Sequence, residues 1–520
     1  MNSSFDATKE EADEWADAPP VIGWRAPAKT EAPTRVTSST WTDGYDQPTP
    51  IQTHTPTPTP IQQTTKLETD EFYSDPNICA RDLAKEARLF SAKHESGINF
   101  DAYASVSVKV DGANPPGPID NFDDPLLHPL LRFNSKLAGY STPTPVQRHA
   151  IAIVSAGRDL IASAQTGSGK TVAFLFPILS KNLFDGPSDI HTEEYESRDR
   201  VSIPVTLILA PTRELAIQIH EEVVKFTYRS WIKSVVCFGG QPIDIQTRKL
   251  ARGCDILVAT PGRLVDLIER GSVDVKNIRY LVLDEADRML DMGFGYQVRR
   301  ILGEEDMHER RQTLLFSATF PANLQNITML YMSNYLFLTI GRINAANTNI
   351  TQQIICVDSL NDKKSHLLDL LATKYPLENQ PPSTHFLLTL IFVRSKNVAD
   401  EIANYLLDNN YDANSIHGGR DQQERTAALD AFKKGISPIL VATDIASRGL
   451  DVPNVGLVVN FDLPRDSVDD YVHRIGRTGR AGNVGLAVSF YVPGRESEAL
   501  RVGLCKCLTE SGQEVPPFIR

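Results

Sequence analysis

The sequence predicts an α/β protein with two successive domains, each built on a parallel β-sheet, and a disordered tail in front of them. From about residue 119 onward, short apolar runs alternate with segments of helical pattern. The runs are continuous rather than alternately apolar and polar, which is typical of strands covered on both faces. They fall into two series, each of a length common for one domain. A chain of 520 residues has room for two or three domains.

The first 80 residues differ from the rest in composition. The stretch THTPTPTPIQQTT (53–65) is of low complexity, and the whole segment is acidic and poor in aliphatic residues. Such a segment buries too little apolar surface to offset its ordering entropy, so residues 1–80 are predicted to be disordered. Trp15, Trp24 and Trp41 lie in this tail, and they are either anchors for a protein partner or incidental.

The bulk composition indicates a reduced, globular protein. Hydrophobic residues make up 41% of the chain and charged residues 23%, which are ordinary values. No run of about 18 apolar residues predicts a membrane span, and the first residues lack the apolar segment of a signal peptide. The six cysteines show no CxxC spacing and are expected to be reduced and intracellular. A net charge of -12 argues against a general polyanion-binding surface but allows a locally basic groove.

The predicted strands define the two domains. Those of the first domain are 158–164, 205–210, 255–260, 279–284 and 313–319. Those of the second domain are 389–393, 412–417, 438–443, 456–461 and 485–491. The domains are predicted at 119–340 and 354–495, with a polar linker at 341–353 between them and extensions at 81–118 and 496–520 on either side.

A glycine-rich turn after the first strand predicts a phosphate site. AQTGSGKT (164–171) lies between strand 158–164 and a helical segment. Gly167 and Gly169 allow backbone N–H groups to approach phosphate oxygens, and the following helix presents its positive end. Lys170 is expected to reach the β- and γ-phosphates, and the hydroxyl of Thr171 to bind Mg²⁺. The order strand, GxGKT, helix makes a purely structural turn the weaker alternative.

A second strand ends in carboxylates. In YLVLDEAD (280–287) apolar residues run directly into Asp284, Glu285 and Asp287. Unpaired buried charge is costly, so a cation is expected beside them, namely Lys170 and a nucleotide-bound metal. We expect Asp284 to hold Mg²⁺ through water, and Glu285 to orient and deprotonate the attacking water. Asp287 is either a coupling residue or a structural salt-bridge partner.

Further motifs follow in a fixed order. They are GYSTPTPVQ (139–147), PTREL (211–215), the pair Gly239–Gly240, TPGR (260–263), SAT (317–319), ATDIASRGLD (442–451) and YVHRIGRTGR (471–480). Together with the phosphate and carboxylate motifs, this set resembles the DEAD-box ATP-dependent RNA helicases of helicase superfamily 2. The segments 95–112 and 513–520 most closely resemble the Vasa-like branch, although the arginine–glycine repeats common in its tails are missing. The resemblance implies two tandem RecA-like domains.

The resemblance assigns ATP binding to the first domain. Within the Q motif (120–148), Gln147 is expected to hydrogen-bond the adenine edge in both directions and Phe122 to stack on the ring. The expected phosphate-binding residues are Ala164, Gln165, Thr166, Gly167, Ser168, Gly169, Lys170 and Thr171, with Thr171 and Asp284 serving the metal.

The same resemblance assigns RNA binding and coupling. The expected RNA-binding residues are Pro211, Thr212, Arg213, Gly239, Gly240, Thr260, Gly262, Arg263 and Thr443. Ser317 and Thr319 are expected to couple hydrolysis to RNA binding, and His473 to join the contact between the domains.

The second domain is expected to complete the ATP site. Asp451 would contact the ribose, and Arg477 and Arg480 would act on the γ-phosphate as arginine fingers, a role that suits a planar and permanently charged group. Two positions depart from the family pattern: Arg394 replaces a frequent acidic residue and Gly419 a common aspartate. Neither change touches the ATP chemistry.

These assignments predict an enzyme whose active site is divided between two domains. ATP and RNA would each favour the closed form, short duplexes would separate locally, and hydrolysis would release the RNA. An ATP-gated RNA clamp or assembly platform needs the same motifs and stays open as an alternative; a DNA-directed helicase and a pseudo-enzyme are disfavoured. The chain is expected to be monomeric. It is expected in the cytoplasm, in ribonucleoprotein granules or shuttling to the nucleus. Translation or ribonucleoprotein factors are the expected partners of the tail.

Overall fold

The structure is a computed structural model of the chain. It describes residues 75–91, 106–165, 167–187, 201–303, 307–308, 310–341, 349–374, 388–444, 455–465, 468–479 and 484–520. Of the tail predicted at 1–80, residues 1–74, with the three tryptophans, lie outside the described residues. Residues 75–80 are described, and the backbone N–H of Cys79 bonds to the carbonyl of Arg229, so the predicted disorder is wrong for them. In the described part of the chain, every helix is too short or too polar to cross a membrane.

The first domain contains an eight-stranded sheet. Its strands are β1 (Val108–Asp111), β2 (Leu160–Ser163), β3 (Thr206–Leu209), β4 (Ser234–Cys237), β5 (Ile256–Ala259), β6 (Tyr280–Asp284), β7 (Gln312–Ser317) and β8 (Leu336–Ile340). They are arranged in the order β1-β8-β2-β7-β6-β3-β5-β4. Every pair is parallel except the edge pair β1–β8, which is antiparallel.

Helices cover both faces of this sheet. They are α1 (Leu83–Leu89), α2 (Pro129–Leu137), α3 (Pro145–Ser155), α4 (Lys170–Asp185), α5 (Arg213–Phe226), α6 (Ile243–Leu250), α7 (Pro261–Glu269), α8 (Ala286–Asp291), α9 (Gly295–Gly303) and α10 (Ala322–Tyr331). Alternate residues of a central strand enter two different cores: in β5, Ile256 and Val258 pack on one side and Leu257 and Ala259 on the other. This double burial explains why the central strands have continuous apolar sequences.

The second domain contains a six-stranded sheet in which all pairs are parallel. Its strands are β9 (Ile350–Cys356), β10 (Leu388–Val393), β11 (Ala413–Ile416), β12 (Ile439–Thr443), β13 (Val455–Asn460) and β14 (Gly485–Tyr491), in the order β11-β12-β10-β13-β14-β9. Its helices are α11 (Leu360–Lys374), α12 (Lys396–Asp408), α13 (Gln422–Lys433), α14 (Val468–Ile475) and α15 (Glu498–Glu510). Two tandem RecA-like α/β domains with parallel sheets, as predicted, are confirmed.

The structure corrects several predicted boundaries. β9 begins at Ile350, inside the segment 341–353 that was expected to be the linker, and it pairs with β14 over its whole length. β1 belongs to the predicted extension 81–118 but joins the first sheet. In the predicted extension 496–520, Leu500, Leu504 and Leu508 of α15 enter the core of the second domain.

The strands that the sequence pattern missed are β1, β4, β8 and β9. Each of the four lies at or next to the edge of its sheet. In β1, β4 and β8 buried or half-buried residues alternate with more exposed ones, and β9 begins in the same way with Ile350 and Gln352 buried and Thr351 and Gln353 exposed. Polar residues on the exposed face interrupt the continuous apolar run that identifies a central strand.

Candidate active site

The phosphate loop connects β2 to α4. Gly167 and Gly169 have φ angles of +81° and +88°, a left-handed conformation that glycine adopts without steric cost. A Cβ atom on Gly169 would also overlap the side-chain amide of Gln147. Glycine is therefore required at residue 169 by both conformation and space.

The side chains of this loop fit a phosphate group. Lys170 is buried and donates a hydrogen bond from Nζ to the carbonyl of Ala164, at 2.9 Å. The hydroxyl of Ser168 is buried and has no hydrogen-bond partner in the described part of the chain. Because α4 begins at Lys170, its unpaired backbone N–H groups and positive dipole face the same loop. Thr166 lies outside the described residues.

The Q motif ties α3 to the phosphate loop. The Gln147 Oε1 atom accepts from the backbone N–H of Thr144, at 2.9 Å, and Nε2 donates to the carbonyl of Gly169, at 3.2 Å. The hydroxyl of Thr144 donates to the carbonyl of Ser168, at 2.8 Å. Both groups of the Gln147 amide thus have partners within the protein, whereas the sequence predicted that they would bind an adenine edge.

Phe122 also differs from its expected arrangement. Its ring is buried and meets the rings of Tyr140 and Phe176 edge-on, with centroids 5.9 and 5.4 Å away. In this conformation the ring belongs to the core of the first domain and presents little surface on which an adenine could stack. The reason is local packing, since Tyr140 precedes the Q-motif helix and Phe176 lies on α4.

Asp284 ends β6 and is fully buried. Burial raises the pKa of this carboxyl to about 7, while nearby Lys170 opposes the shift and Glu285 adds to it. A carboxylate in such a place needs a cation. The described residues contain no cluster of three or more His, Cys, Asp or Glu side chains that could hold a metal alone. A Mg²⁺ ion held by Asp284 and Thr171 fits this site only if nucleotide phosphates supply further ligands.

Glu285 has an unusual backbone conformation. Its φ of +51° is in the left-handed region, which is uncommon for a residue with a long side chain. Strained conformations of this kind cluster at functional sites. The side chain is buried; its Oε1 atom lies 4.0 Å from Nη2 of Arg477 in the second domain, and Oε2 has no hydrogen-bond partner among the described residues.

Asp287 lies where three motifs meet. Its Oδ2 atom accepts hydrogen bonds from the backbone N–H and the hydroxyl of Thr319, at 2.9 and 2.8 Å, and lies 3.5 Å from Nε2 of His473. Ser317 supports this arrangement by donating to the carbonyl of Thr319, at 2.6 Å. Burial raises the pKa of Asp287, but the partners His473, Lys170 and Thr319 outweigh it and hold the pKa well below its usual range.

The arginines of the second domain are only partly described. Arg477 is buried, and its Nε atom donates to the carbonyl of His473, at 3.3 Å. The structure brings Arg477 of the second domain close to Glu285 of the first. Arg480 and Asp451 lie outside the described residues.

Other contacts between the domains were not predicted. Arg288 Nη1 lies 2.5 Å from Oδ1 of Asp470, and Arg425 Nη2 lies 2.6 Å from Oε1 of Glu214. Gln422 donates to the same Glu214 carboxylate, at 3.4 Å. The charges were visible in the sequence, but nothing there indicated which distant residues would pair.

The expected RNA-binding residues of the first domain follow three neighbouring strands. Pro211, Thr212 and Arg213 follow β3, Gly239 and Gly240 follow β4, and Thr260, Gly262 and Arg263 follow β5. Because these neighbouring strands are parallel, the residues that follow them lie together along one edge of the sheet, the edge formed by the carboxyl ends of the strands. Thr443 ends β12 at the corresponding edge of the second sheet.

Individual contacts organise this edge. The hydroxyl of Thr212 caps α5 by accepting from the backbone N–H of Leu215. Gly240 has a φ of +85°, and a Cβ atom there would overlap the guanidinium of Arg213. Arg263 donates to the carbonyl of Gln241, at 3.2 Å, which links the loop after β5 to the loop after β4.

Comparison with known proteins agrees with these motifs. The family model for the DEAD/DEAH box helicase matches residues 144–327, and that for the helicase conserved C-terminal domain matches residues 382–482. Among solved structures, S. cerevisiae Dbp5 bound to RNA and ADP BeF3 is 28% identical, with a TM-score of 0.62, over 76% of this chain and 95% of that chain.

Two further relatives have a higher sequence identity. The yeast DEAD-box splicing factor Prp28 is 34% identical over 83% of this chain and 96% of its own, with a TM-score of 0.44. A DEAD box protein from Methanococcus jannaschii is 32% identical over 76% of this chain and 98% of its own, with a TM-score of 0.42. The two family models together match more than half of the chain, which therefore belongs to the DEAD-box helicase family.

Proposed function

We propose that the protein is an RNA-dependent ATPase that clamps single-stranded RNA between its two domains. It locally separates short RNA duplexes or remodels RNA–protein complexes, and ATP hydrolysis releases the RNA. The observation that carries this proposal is the approach of Glu285 in the first domain to Arg477 in the second, at 4.0 Å. The similarity to Dbp5, whose solved structure contains RNA and ADP BeF3, supports the same assignment.

The first domain binds and positions the triphosphate. The loop glycines and the first turn of α4 cradle the phosphates, and Lys170 turns from the carbonyl of Ala164 toward the β- and γ-oxygens. Thr171 and Asp284 would hold Mg²⁺, which would neutralise charge on the transferred phosphoryl group. The raised pKa of Asp284 supports this role, because the buried carboxylate lacks a full counter-charge without the ion.

Water attack and transition-state stabilisation use groups from both domains. Glu285 orients the water and accepts its proton through the oxygen that has no partner among the described residues. Arg477, together with Arg480, stabilises charge on the γ-phosphoryl group, and an arginine finger contributes about 10³–10⁵-fold to the rate in related phosphoryl-transfer enzymes. Domain closure is coupled to this site by the contacts of Asp287 with Thr319 in the first domain and with His473 in the second.

Adenine recognition would require a local rearrangement. Gln147 would exchange its bonds to Thr144 and Gly169 for bonds to the adenine edge, and Phe122 would turn part of its ring toward the base. A primary amide offers both a donor and an acceptor, so this pairing can favour adenine over guanine.

RNA would lie along the edge formed by the loops after β3, β4 and β5 and by Thr443. Backbone N–H groups, hydroxyls and arginines in these loops favour contacts to phosphate and sugar, so binding would be largely independent of sequence. Contacts to 2′-hydroxyl groups would favour RNA over DNA.

An ATP-gated RNA clamp or assembly platform is the second candidate function. The closed arrangement with buried cross-domain pairs, Glu214 with Arg425 and Arg288 with Asp470, favours it as much as unwinding, since a long-lived closed state serves a clamp. Strand displacement on short duplexes distinguishes the two candidates.

The branch of the family, the cellular location and the protein partners are further parts of the proposal. The Vasa-like branch rests on residues 95–112 and 513–520. The protein is proposed to be a monomer of the cytoplasm, in ribonucleoprotein granules or shuttling to the nucleus. Six free cysteines are typical of a reducing compartment. Translation or ribonucleoprotein factors that bind residues 1–80 are the proposed protein partners.

The proposed function is tested with the full chain. ATP hydrolysis is measured without nucleic acid, with single-stranded RNA and with single-stranded DNA of the same sequence, and strand displacement is measured on short RNA duplexes. Stimulation by RNA alone, with displacement of short strands, is the expected result. Equal stimulation by RNA and DNA would contradict selectivity for RNA, and stimulation by DNA alone would indicate a DNA-directed enzyme. RNA-stimulated hydrolysis without displacement would indicate the clamp.

A further inference from the structure

Residues 75–91, which we name the N-terminal brace, are anchored on Tyr228 at the end of α5. The Tyr228 hydroxyl accepts a hydrogen bond from the backbone N–H of Asp82 and donates one to the carbonyl of the same residue, both at 2.9 Å. Its ring is buried and packs edge-on against Phe90, with centroids 5.9 Å apart. Asp82 in turn caps α1 by accepting from the backbone N–H of Lys85. One side chain therefore holds both the start and the end of the α1 helix.

The residue after Tyr228 adds a second anchor. Arg229 has a φ of +71°, and its carbonyl accepts from the backbone N–H of Cys79, at 2.7 Å, while its Nε donates back to the Cys79 carbonyl, at 3.0 Å. The guanidiniums of Arg229 and Arg81 lie 5.6 and 5.5 Å from the centroid of the same ring, Phe133 of α2. A left-handed arginine is strained and persists only where its surroundings hold it in that conformation. This turn is therefore shaped to receive the brace.

These anchors continue directly into the ATP site. Asn134 is buried and donates from Nδ2 to the carbonyls of Phe226 and Tyr228, at 2.9 and 2.8 Å. The ring of Phe226 packs on Phe176 of α4, with centroids 4.7 Å apart. Because α4 begins at Lys170, the brace and the phosphate loop are connected by one contiguous set of buried contacts.

The same aromatic group reaches the Q motif. Phe226 also contacts Tyr140, with centroids 5.7 Å apart, and Tyr140 contacts Phe122 at 5.9 Å. Phe226, Phe176, Tyr140 and Phe122 thus form one cluster between the brace, α4 and the segment expected to meet adenine.

We propose that the N-terminal brace positions the nucleotide site for ATP, with Tyr228 as the positioning residue. The brace holds the end of α5 in place, and α5 holds α4 and the Q-motif aromatics through Phe226. Loosening the brace therefore weakens ATP binding more than it slows hydrolysis, because no atom of the brace touches the reacting groups. The inference deepens the proposed ATPase function and rests on it.

The test uses the full chain with Tyr228→Phe, which removes only the hydroxyl that bonds to Asp82. Tyr296→Phe is the matched control, because Tyr296 is 65% exposed on α9 and makes the same chemical change at the surface. Hydrogen exchange of residues 79–90 reports the brace, calorimetric titration with ATP and Mg²⁺ reports affinity, and RNA-stimulated hydrolysis gives KM and kcat.

The expected result for Tyr228→Phe is faster exchange in residues 79–90, because both hydrogen bonds to Asp82 are lost. ATP affinity should fall by about two- to tenfold, less than the full loss of two hydrogen bonds because the brace acts on the site only through α5. The KM for ATP rises in parallel, kcat stays within about twofold, and Tyr296→Phe behaves like the wild type. If Tyr228→Phe fails to fold, Arg81→Ala tests the brace through a different contact, that of the half-exposed Arg81 side chain with Phe133 of α2.

Two results would contradict the proposal that the brace positions the nucleotide site. Faster exchange with unchanged ATP affinity would make residues 75–91 a passive cover, and unchanged exchange would show that Tyr228 is not the anchor. Failure of the proposed function looks different, because the wild-type chain itself would then neither bind nor hydrolyse ATP.

Discussion

Glu214 in the first domain and Arg425 in the second form a buried ion pair, with 2.6 Å between Oε1 and Nη2. Glu214 lies in the first turn of α5, one residue after Arg213 of the expected RNA-binding edge, and Arg425 lies on α13. Burial lowers the pKa of Arg425, and the Glu214 carboxylate opposes that shift. The pair joins the domains beside the expected RNA-binding residues, whereas the contact of Glu285 with Arg477 joins them beside the phosphate loop and the carboxylates.

Arg425→Ala is expected to impair closure on RNA. Removing one partner of a buried ion pair across an interface costs about 2–5 kcal/mol, so the KM for RNA in the hydrolysis assay should rise at least about tenfold. ATP affinity without RNA should change little. Arg501→Ala is the control, since Arg501 pairs with the exposed Glu498 on one helix. An unchanged KM for RNA in Arg425→Ala would mean that the pair forms without contributing to the RNA-bound state.

Glu285→Gln is expected to separate binding from hydrolysis. The amide keeps the size of the side chain but cannot accept a proton, so kcat should fall by about 10²–10⁴-fold, as for loss of a general base. ATP and RNA should still bind, because Lys170, Asp284 and Arg477 are untouched. Single-turnover hydrolysis and RNA binding in ATP are the measurements. Glu269→Gln, at a surface ion pair with Arg300, is the control, and normal turnover by Glu285→Gln would remove Glu285 from the catalytic role.

The central part of the fold follows directly from the sequence. The ten predicted strands match β2, β3, β5, β6, β7 and β10–β14, and all of them except the edge strand β11 lie in the interior of a sheet, where residues buried on both faces leave a continuous apolar signal. The phosphate loop and the carboxylates at the end of β6 are each recognised from a short stretch of sequence. Lys170 and Asp284 could therefore be identified from the sequence alone. Edge strands such as β9 escaped because half of their residues face solvent.

The contacts between the domains could not be predicted in the same way. Arg288 and Asp470 are 182 residues apart in the chain, and their pairing depends on how two separately folded domains meet. The hydrogen-bond partners of Gln147 could not be predicted for a different reason. A side-chain amide can bond to adenine or to the backbone of Thr144 and Gly169, and sequence alone does not distinguish between these choices.

Asp284→Asn is expected to stabilise the protein in the absence of nucleotide and metal. Because the folded-state pKa of Asp284 is raised from 3.8 to about 7, ionisation of the wild-type carboxyl opposes folding. This penalty is absent below about pH 4, grows between pH 4 and 7, and is complete above pH 7, where it amounts to about 4 kcal/mol at most. Melting curves in EDTA from pH 5 to 8.5 should show a Tm advantage of Asp284→Asn that grows with pH up to about 7.

Adding Mg²⁺ and ATP provides the control for this prediction. Mg²⁺ with ATP supplies the missing cation to wild-type Asp284, so the Tm advantage of the asparagine variant should shrink or reverse when both are added. A Tm difference between Asp284→Asn and the wild type that does not vary with pH would show that Asp284 is not the buried acid responsible.

Gly240→Ala is expected to weaken RNA binding through Arg213. The new Cβ would overlap the Arg213 guanidinium, and the φ of +85° is unfavourable for alanine. Gly271→Ala separates the two effects, since Gly271 has a similar φ of +66° with open space around it. Both variants should lose about 1 kcal/mol of unfolding free energy, but only Gly240→Ala should lose RNA affinity, by about three- to tenfold for one displaced phosphate contact. RNA titrations at fixed salt measure this, and equal RNA affinity in the two variants would contradict a role for Arg213 in RNA binding.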